Sequence, residues 1–326
     1  MPPTRFRIRA FAKINLGLQI GARRRDGFHE LRTVFQTIRL ADLLELNLQP
    51  GRGVSLALAG RPAPQGRENL AVRAAELAVR AFGLRGHVGI RLVKRIPSGA
   101  GLGGGSSDAA ALLRALALAC RHRPPLAEQL QLASSLGSDV PAFLLGGTVL
   151  GLGRGDEVYA LEDLAPWHCV VVMPLGHDGA GITTADAFAL WDRRLRPRLT
   201  RSASSDTLMG FCSLVDQVLP AFRLLRNRGR RLAPKGEAGP KVHAGIENDF
   251  QSGVFSLSPD FSRIHRQLCR ASAAWVGLTG SGAAQFGLFG RAERAAAAAA
   301  QLARGHSVWR ARFVSRRHYA RGLQAL

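Results

Sequence analysis

The stretch Pro97-Ser98-Gly99-Ala100-Gly101-Leu102-Gly103-Gly104-Gly105-Ser106-Ser107-Asp108 decides how the rest of this chain is read. An apolar strand candidate, Val88 to Val93, precedes it, and an alanine-rich helix candidate, Ser106 to Cys120, follows. Glycine lets a backbone approach an anion closely and take positive φ angles. The free N–H groups and the positive dipole end of the following helix attract phosphate. The run reads as a phosphate cradle, and its ligand as a nucleotide.

Other phosphate loops fit it poorly. Gly99, Gly101 and Gly104 satisfy G-x-G-x-x-G, but the dinucleotide fold then requires an acidic residue on a second strand about 20 residues on. The helix here runs instead into Arg121-His122-Arg123-Pro124-Pro125. A Walker loop carries Lys directly before Ser or Thr, where this chain has Gly105. The protein-kinase glycine loop leads into a strand, and here a helix follows. Taken alone, the stretch also fits a structural glycine turn.

At 326 residues, with 46% hydrophobic residues, the chain suffices for one large or two ordinary globular domains. No apolar run approaches the roughly 20 residues that cross a bilayer, and the amino terminus has no secretory h-region. A cytoplasmic protein without membrane partners is expected. Cys120, Cys169, Cys212 and Cys269 are far apart and form no C-x-x-C pair, which argues against zinc and redox motifs.

The net charge of +22 raises a nucleic-acid hypothesis. Yet only Lys13, Lys94, Lys235 and Lys241 are lysines, and the arginines are spread along the chain, as a compositional bias would leave them. Where arginine is the common base, a retained lysine points to a need for a compact ammonium. Lys13 and Lys94 fall in segments of functional character.

Arg5 to Ile20 alternates as a strand with Lys13 and Asn15 inside it, and strand candidates follow at Leu31 to Leu40 and Leu43 to Leu48. Helices are predicted from Asn69 to Phe82 and Leu126 to Leu136, and strands at Val149 to Leu152 and Cys169 to Met173. Asp192 to Gly245 changes composition, with Arg-, Gly- and Pro-rich parts and one helix predicted over Leu214 to Leu225. A helix at Phe261 to Ala273, a strand at Gln285 to Phe289, a helix at Arg291 to Arg304 and a strand at Val308 to Val314 complete an α+β pattern.

Ala12-Lys13-Ile14-Asn15-Leu16, the glycine run, and Leu278-Thr279-Gly280-Ser281-Gly282-Ala283, in this order, resemble the GHMP kinase superfamily of small-molecule kinases. Arg25-Asp26-Gly27-Phe28-His29-Glu30-Leu31, Glu68-Asn69-Leu70 and Gly137-Ser138-Asp139-Val140-Pro141-Ala142-Phe143 bring it closer to the branch acting on a CDP-linked methylerythritol in the non-mevalonate isoprenoid route. The resemblance covers roughly Phe6 to Gly290, least well between Asp192 and Gly245. It implies a two-domain α+β GHMP fold: residues 1–165 with a ribosomal-protein-like β/α fold, residues 166–326 ferredoxin-like, and an active site in the cleft between. It implies ATP-dependent phosphorylation of the substrate's 2-hydroxyl.

The resemblance also assigns roles. Asp139 would take or orient the acceptor proton and Lys13 would stabilise developing charge; from the residues alone, Asp139 equally fits a helix cap. Pro97, Gly99, Gly101, Leu102, Gly103, Gly104, Gly105, Ser106 and Ser107 would wrap the phosphates of ATP, with Asn69 and Lys94 at the nucleotide's other end. Magnesium is expected with ATP, with Ser107 or Asp139 as candidate ligands. Asn15, Phe28, His29, Phe188, Gly280 and Ser281 would bind the acceptor, the aromatic rings holding cytosine. A frequent tyrosine of the family is Phe28 here, which keeps stacking and removes a hydroxyl. Another GHMP acceptor such as homoserine or mevalonate is the alternative. The sequence does not give the oligomeric state.

Overall fold

The computed structural model describes residues 4–176, 183–195, 218 and 247–326. Its first sheet is built on two long antiparallel strands, β1 (Arg5–Arg23) and β2 (His29–Gln49). The two strands predicted at 31–40 and 43–48 are thus one. Their apparent break, Ala41-Asp42, stays in the sheet opposite Phe11 and Ala10, and the register shifts just beyond, between Phe11 and Ala12. Aspartate is unfavourable in a strand, and Asp42 is held there by the buried cation described below.

The sheet continues with β3 (Arg52–Gly60) parallel to β4 (Gly86–Lys94), in the order β11-β1-β2-β4-β3. β5 (Thr148–Leu152) and β6 (Glu157–Ala160) extend it beside β2, and β11 is the C-terminal Leu323–Ala325. One face is covered by α1 (Leu70–Ala81), α2 (Gly104–Leu118), α3 (Leu126–Leu136) and the short α4 (Val140–Leu145). Inward residues of the strands, Phe6, Ile8, Leu44, Leu46, Ile90 and Leu92, share a core with Ala71, Ala75, Ala109 and Leu112 of the helices. Many of the helix positions in this core are alanine.

The second sheet is antiparallel, in the order β10-β7-β9-β8: β7 (His168–Pro174), β8 (Trp275–Leu278), β9 (Gln285–Phe289) and β10 (His306–Arg312). With α7 (Pro259–Arg270) between β7 and β8 and α8 (Ala292–Leu302) between β9 and β10, the order is ferredoxin-like. Val170 and Val172 of β7 face these helices. Cys169, Val171 and Met173 face the other way, into a core shared with Ile14, Leu16 and Leu18 of β1. Burial on both faces explains the unbroken apolar run at 169–173, and it packs the two sheets together at the segment that carries Lys13 and Asn15.

α5 (Thr184–Leu195), α6 (Gln251–Phe255) and α9 (Arg316–Ala320) complete the described elements. Of the helix predicted over 214–225 only Val218 is described, helical and buried; the other residues from 196 to 245, Cys212 among them, lie outside the described residues.

The Oδ2 of Asp249 accepts the Ile20 N–H at 2.7 Å and so ties the start of α6 to β1. Burial raises this carboxyl to about 6, helped by the charge of Glu247. A carboxyl raised on folding adds stability while protonated, below its unfolded value near 4, and that contribution is lost as pH rises through about 6. Asp249→Asn keeps an acceptor for Ile20. The variant is expected to be more stable than the parent at pH 7.5 by roughly 1–3 kcal/mol and indistinguishable at pH 4, as read from denaturant unfolding at both values.

Candidate active site

The glycine run closes β4 onto α2. Gly99, Gly101 and Gly103 have φ angles of 67°, 76° and 69°, the left-handed region that other residues avoid. Gly103 is the N-cap of α2, and no side chain caps that helix. Its first N–H groups are left for a ligand. The loop borders a cleft of about 340 Å³ lined by Asn69, Leu70, Lys94, Ile96, Pro97, Gly99, Gly101 to Gly105, Ser106 and Asp108.

The second glycine turn packs back to back with the first. The Thr279 hydroxyl donates to the Gly101 carbonyl at 3.0 Å, and the Ala284 N–H donates to the Ala100 carbonyl at 3.3 Å. A Cβ on Gly101 would collide with the Thr279 carbonyl, and one on Gly282 would come within 2.5 Å of the Gly101 nitrogen. Gly101→Ala is therefore expected to cost at least about 2 kcal/mol. Gly105→Ala, whose Cβ would meet only Leu70 at 3.6 Å, is expected to leave stability unchanged. Thermal unfolding of the two variants side by side checks this.

Lys13 and Asn15 lie two apart on β1, so both side chains project from one face. The Lys13 N–H donates to the Leu102 carbonyl at 3.0 Å, pinning the glycine loop to the strand. The ammonium is almost fully buried, 3.2 Å from Asp139 Oδ2 and 2.8 Å from Asn15 Oδ1, to which it donates. It also sits 5.3 Å from the centre of the Phe35 ring. Asn15 is a junction: its Oδ1 also accepts the Gly280 N–H at 2.8 Å, and its Nδ2 donates to Thr33 Oγ1 at 2.7 Å. Asn248 Nδ2 holds the same turn by donating to the carbonyls of Leu278 and Gly280, at 3.0 and 2.8 Å.

Asp139 occupies the N-cap position of α4, but its side chain makes no capping bond. The cap explanation of this residue fails on that observation. A carboxylate one-third exposed, facing a buried ammonium, is suited to meet a hydroxyl proton.

Several expected nucleotide contacts have other occupations. Asn69 caps α1, accepting from the Ala71 N–H at 2.9 Å and donating to the Pro64 carbonyl at 2.8 Å. Lys94 is buried in a triad with Asp42 and Asp108 beneath the loop. Burial pulls its ammonium down, but the two carboxylates outweigh this and hold it raised. Burial pushes the Asp108 carboxyl up, against the pull of the Lys94 ammonium beside it. Ser107 is turned into the core, where its hydroxyl donates to the Phe11 carbonyl at 2.7 Å. Successive helical residues point about 100° apart, so Ser106 lines the cleft and Ser107 does not.

Of the expected acceptor residues, Phe28, His29 and Phe188 gather at the β1–β2 turn, while Asn15, Gly280 and Ser281 lie at the second glycine turn. Phe28 is half exposed, with the Arg154 guanidinium 5.1 Å from its ring centre. His29 stacks on Phe188 of α5 with ring centres 5.1 Å apart and planes at 9°, and Phe188 meets Phe250 edge-on. Asp192 Oδ1 lies 3.3 Å from His29 Nε2. Ser281 donates to Thr184 at the start of α5, 3.2 Å away, joining the second glycine turn to the same helix. Sequence reasoning missed Arg154, Asp192, Thr33, Asn248 and Asp42. Only Asn248, polar at the point where regular structure resumes, carried a local signal.

Residues 69–147 match the family described as GHMP kinases N terminal domain, and residues 235–307 match GHMP kinases C terminal. A 4-diphosphocytidyl-2-C-methyl-D-erythritol kinase of Solibacter usitatus is 40% identical over 312 residues, covering 96% of this chain and 90% of its own. The protein of the same name from Pelotomaculum thermopropionicum is 36% identical, covering 90% and 93%. A crystal structure of 4-(cytidine 5'-diphospho)-2C-methyl-D-erythritol kinase superposes with a TM-score of 0.72 at 34% identity, covering 94% of this chain and 98% of that one. A homoserine kinase from Cytophaga hutchinsonii, at 16% identity and a TM-score of 0.67, shares the fold. The chain belongs to the GHMP kinases. Within that superfamily it falls in the 4-diphosphocytidyl-2-C-methyl-D-erythritol kinase family.

Proposed function

We propose that this chain transfers the γ-phosphoryl group of ATP to the 2-hydroxyl of 4-diphosphocytidyl-2-C-methyl-D-erythritol. The observation that carries the reading is the meeting of Lys13, on a strand hydrogen-bonded directly to the glycine loop, with Asp139 at the start of α4, 3.2 Å away.

The triphosphate is assigned to the uncapped start of α2, with Gly103, Gly104, Gly105 and Ser106 around it. Asp139 Oδ2 accepts the proton of the acceptor hydroxyl or orients it, and Lys13 Nζ, beside it, holds the negative charge that develops on the acceptor and transferred oxygens. Burial of Lys13 strengthens that interaction, because little water competes for the ammonium. Asn15 fixes the ammonium and the second glycine turn together, so both loops and the base share one support. Phosphoryl transfer asks mainly for this kind of positioning and charge neutralisation.

Among the described residues, no cluster of three or more carboxylates, histidines or cysteines converges as a metal cage. That fits magnesium, which keeps several waters and is held mostly by phosphates with one or two protein oxygens. Asp139 and Ser106 are the side chains we assign to it. When bound, the ion would neutralise charge on the β and γ oxygens.

The cytosine end is assigned to Phe28, His29 and Phe188. Base–aromatic stacking contributes about 1–3 kcal/mol per base, and a half-exposed ring under a guanidinium is a surface left for such a partner. This site is the feature that favours a nucleotide-linked acceptor over homoserine or mevalonate. Residues 1–165 supply the glycine loop and both catalytic groups, and 166–326 the second glycine turn and Phe188. No described helix is long and apolar enough to cross a membrane, and Cys120 and Cys169 form no disulfide with another described residue. We place the reaction in the cytoplasm.

The test is ATP consumption with the CDP-linked acceptor, homoserine and mevalonate in parallel. Turnover with the first alone supports the reading. Turnover with either of the others and none with the first would overturn it.

A further inference from the structure

We propose that Asp42 and Asp108, acting through Lys94, are positioning residues that set the shape of the phosphate loop. The inference rests on the glycine loop binding ATP and adds three residues from three elements that act from beneath it. Asp42 lies in β2, Lys94 ends β4, and Asp108 is in the second turn of α2; their exposures are 0%, 4% and 1%. The Lys94 ammonium donates to Asp42 and, at 2.8 Å, to Asp108 Oδ2.

The other oxygen of Asp42 accepts the N–H groups of Arg95, at 2.5 Å, and Ile96, at 2.9 Å. These two residues lead from β4 into the loop, so Asp42 fixes the loop's entrance. Asp108 fixes its exit on α2. Lys94 bridges the two, with its ammonium directly under the loop: a Cβ on Gly104 would sit 3.2 Å from Nζ.

Stability alone is a poor reason for this arrangement. A buried ion pair is often matched or bettered by apolar residues of similar size, and here two carboxylates surround one ammonium, with Asp108 Oδ1 left unpartnered. What the triad does supply is a unique geometry at both ends of a glycine-rich segment that has little of its own. It also accounts for lysine at this position in a chain whose cations are otherwise almost all arginine. A compact ammonium fits among two buried carboxylates and Gly104, where a planar guanidinium fork does not.

The test compares binding of magnesium and a non-hydrolysable ATP analogue by calorimetry, together with thermal unfolding, for the parent chain and its variants. Lys94→Met alone strands two buried carboxylates and is expected to unfold at lower temperature. Lys94→Met with Asp108→Leu removes one of them and is expected to recover much of the melting temperature. Its affinity for the analogue is expected to stay about tenfold or more below that of the parent, because the loop has lost its tie to α2. A recovered melting temperature with parental affinity overturns the proposal. If the double variant does not fold, the same comparison is read from Asp42→Asn, which keeps an acceptor for Arg95 and Ile96 but weakens the hold on Lys94. Parental affinity there also overturns it. Failure of the parent chain itself to bind the analogue removes the assignment of the loop to ATP, and this proposal with it.

Discussion

Asp139→Asn is expected to lower turnover by about 10²- to 10⁴-fold, the range over which a positioned proton acceptor contributes, while the melting temperature stays close to that of the parent. The stability half rests on what remains: the Asp139 side chain is one-third exposed and makes no capping bond to α4, and the Lys13 ammonium keeps its hydrogen bond to Asn15. The amide also keeps the size of the carboxylate. What it loses is the charge facing Lys13 at 3.2 Å and the capacity to take a proton. Steady-state turnover with a melting curve on the same sample checks both halves. Near-normal turnover would remove Asp139 from the chemistry.

Lys13→Met is expected to be of similar severity, about 10²- to 10³-fold in turnover, as found for removal of a preorganised charge-stabilising donor. The buried ammonium is replaced by a chain of similar length that can lie against Phe35, and Asn15 keeps its bond from the Gly280 N–H. The site should therefore hold together without its cation. Because Lys13 and Asp139 act on the same reacting atoms, the double variant is expected to lose much less than the product of the two single effects. Full multiplicativity would mean that the two residues serve separate steps.

How much of this was legible in the sequence depended on distance along the chain. The glycine loop, its helix and the Lys13 and Asn15 strand are local patterns, and they were readable. β7 was readable because its Cys169 to Met173 run is apolar on both faces. β3 was not: Val54, Leu56 and Leu58 do alternate, but alanine and glycine between them and the Gly60 to Gly66 loop behind them weaken the signal. β2 reads as two strands in the sequence because the partner that keeps Asp42 in the sheet, Lys94, lies 52 residues away and is reached only through the register of β2 on β4.

The same limit governed the site. The motif placed Lys13 and Asp139 together, which no spacing could have done. It could not say that Asn69 is committed to a helix cap and a neighbouring carbonyl, or that Lys94 lies in a buried triad. The choice between Ser106 and Ser107 turned on one residue of helical phase, which is set by how α2 packs on β1 and β2. The scarcity of lysine was the most useful compositional signal. Both lysines outside the atypical region are buried in ion pairs at the site, Lys13 beside the reacting groups and Lys94 under the phosphate loop.

The central claim is that Lys13 and Asp139 meet the acceptor hydroxyl at the end of a triphosphate held by Gly103 to Ser106. A crystal structure with a non-hydrolysable ATP analogue, magnesium and the CDP-linked acceptor tests it most directly. The account predicts the 2-hydroxyl oxygen within about 3 Å of Asp139 and in hydrogen-bond reach of Lys13, with the γ-phosphate on the same side and cytosine against Phe28 or Phe188. A ternary complex with the γ-phosphate on the glycine loop but the 2-hydroxyl away from both Lys13 and Asp139 would contradict it.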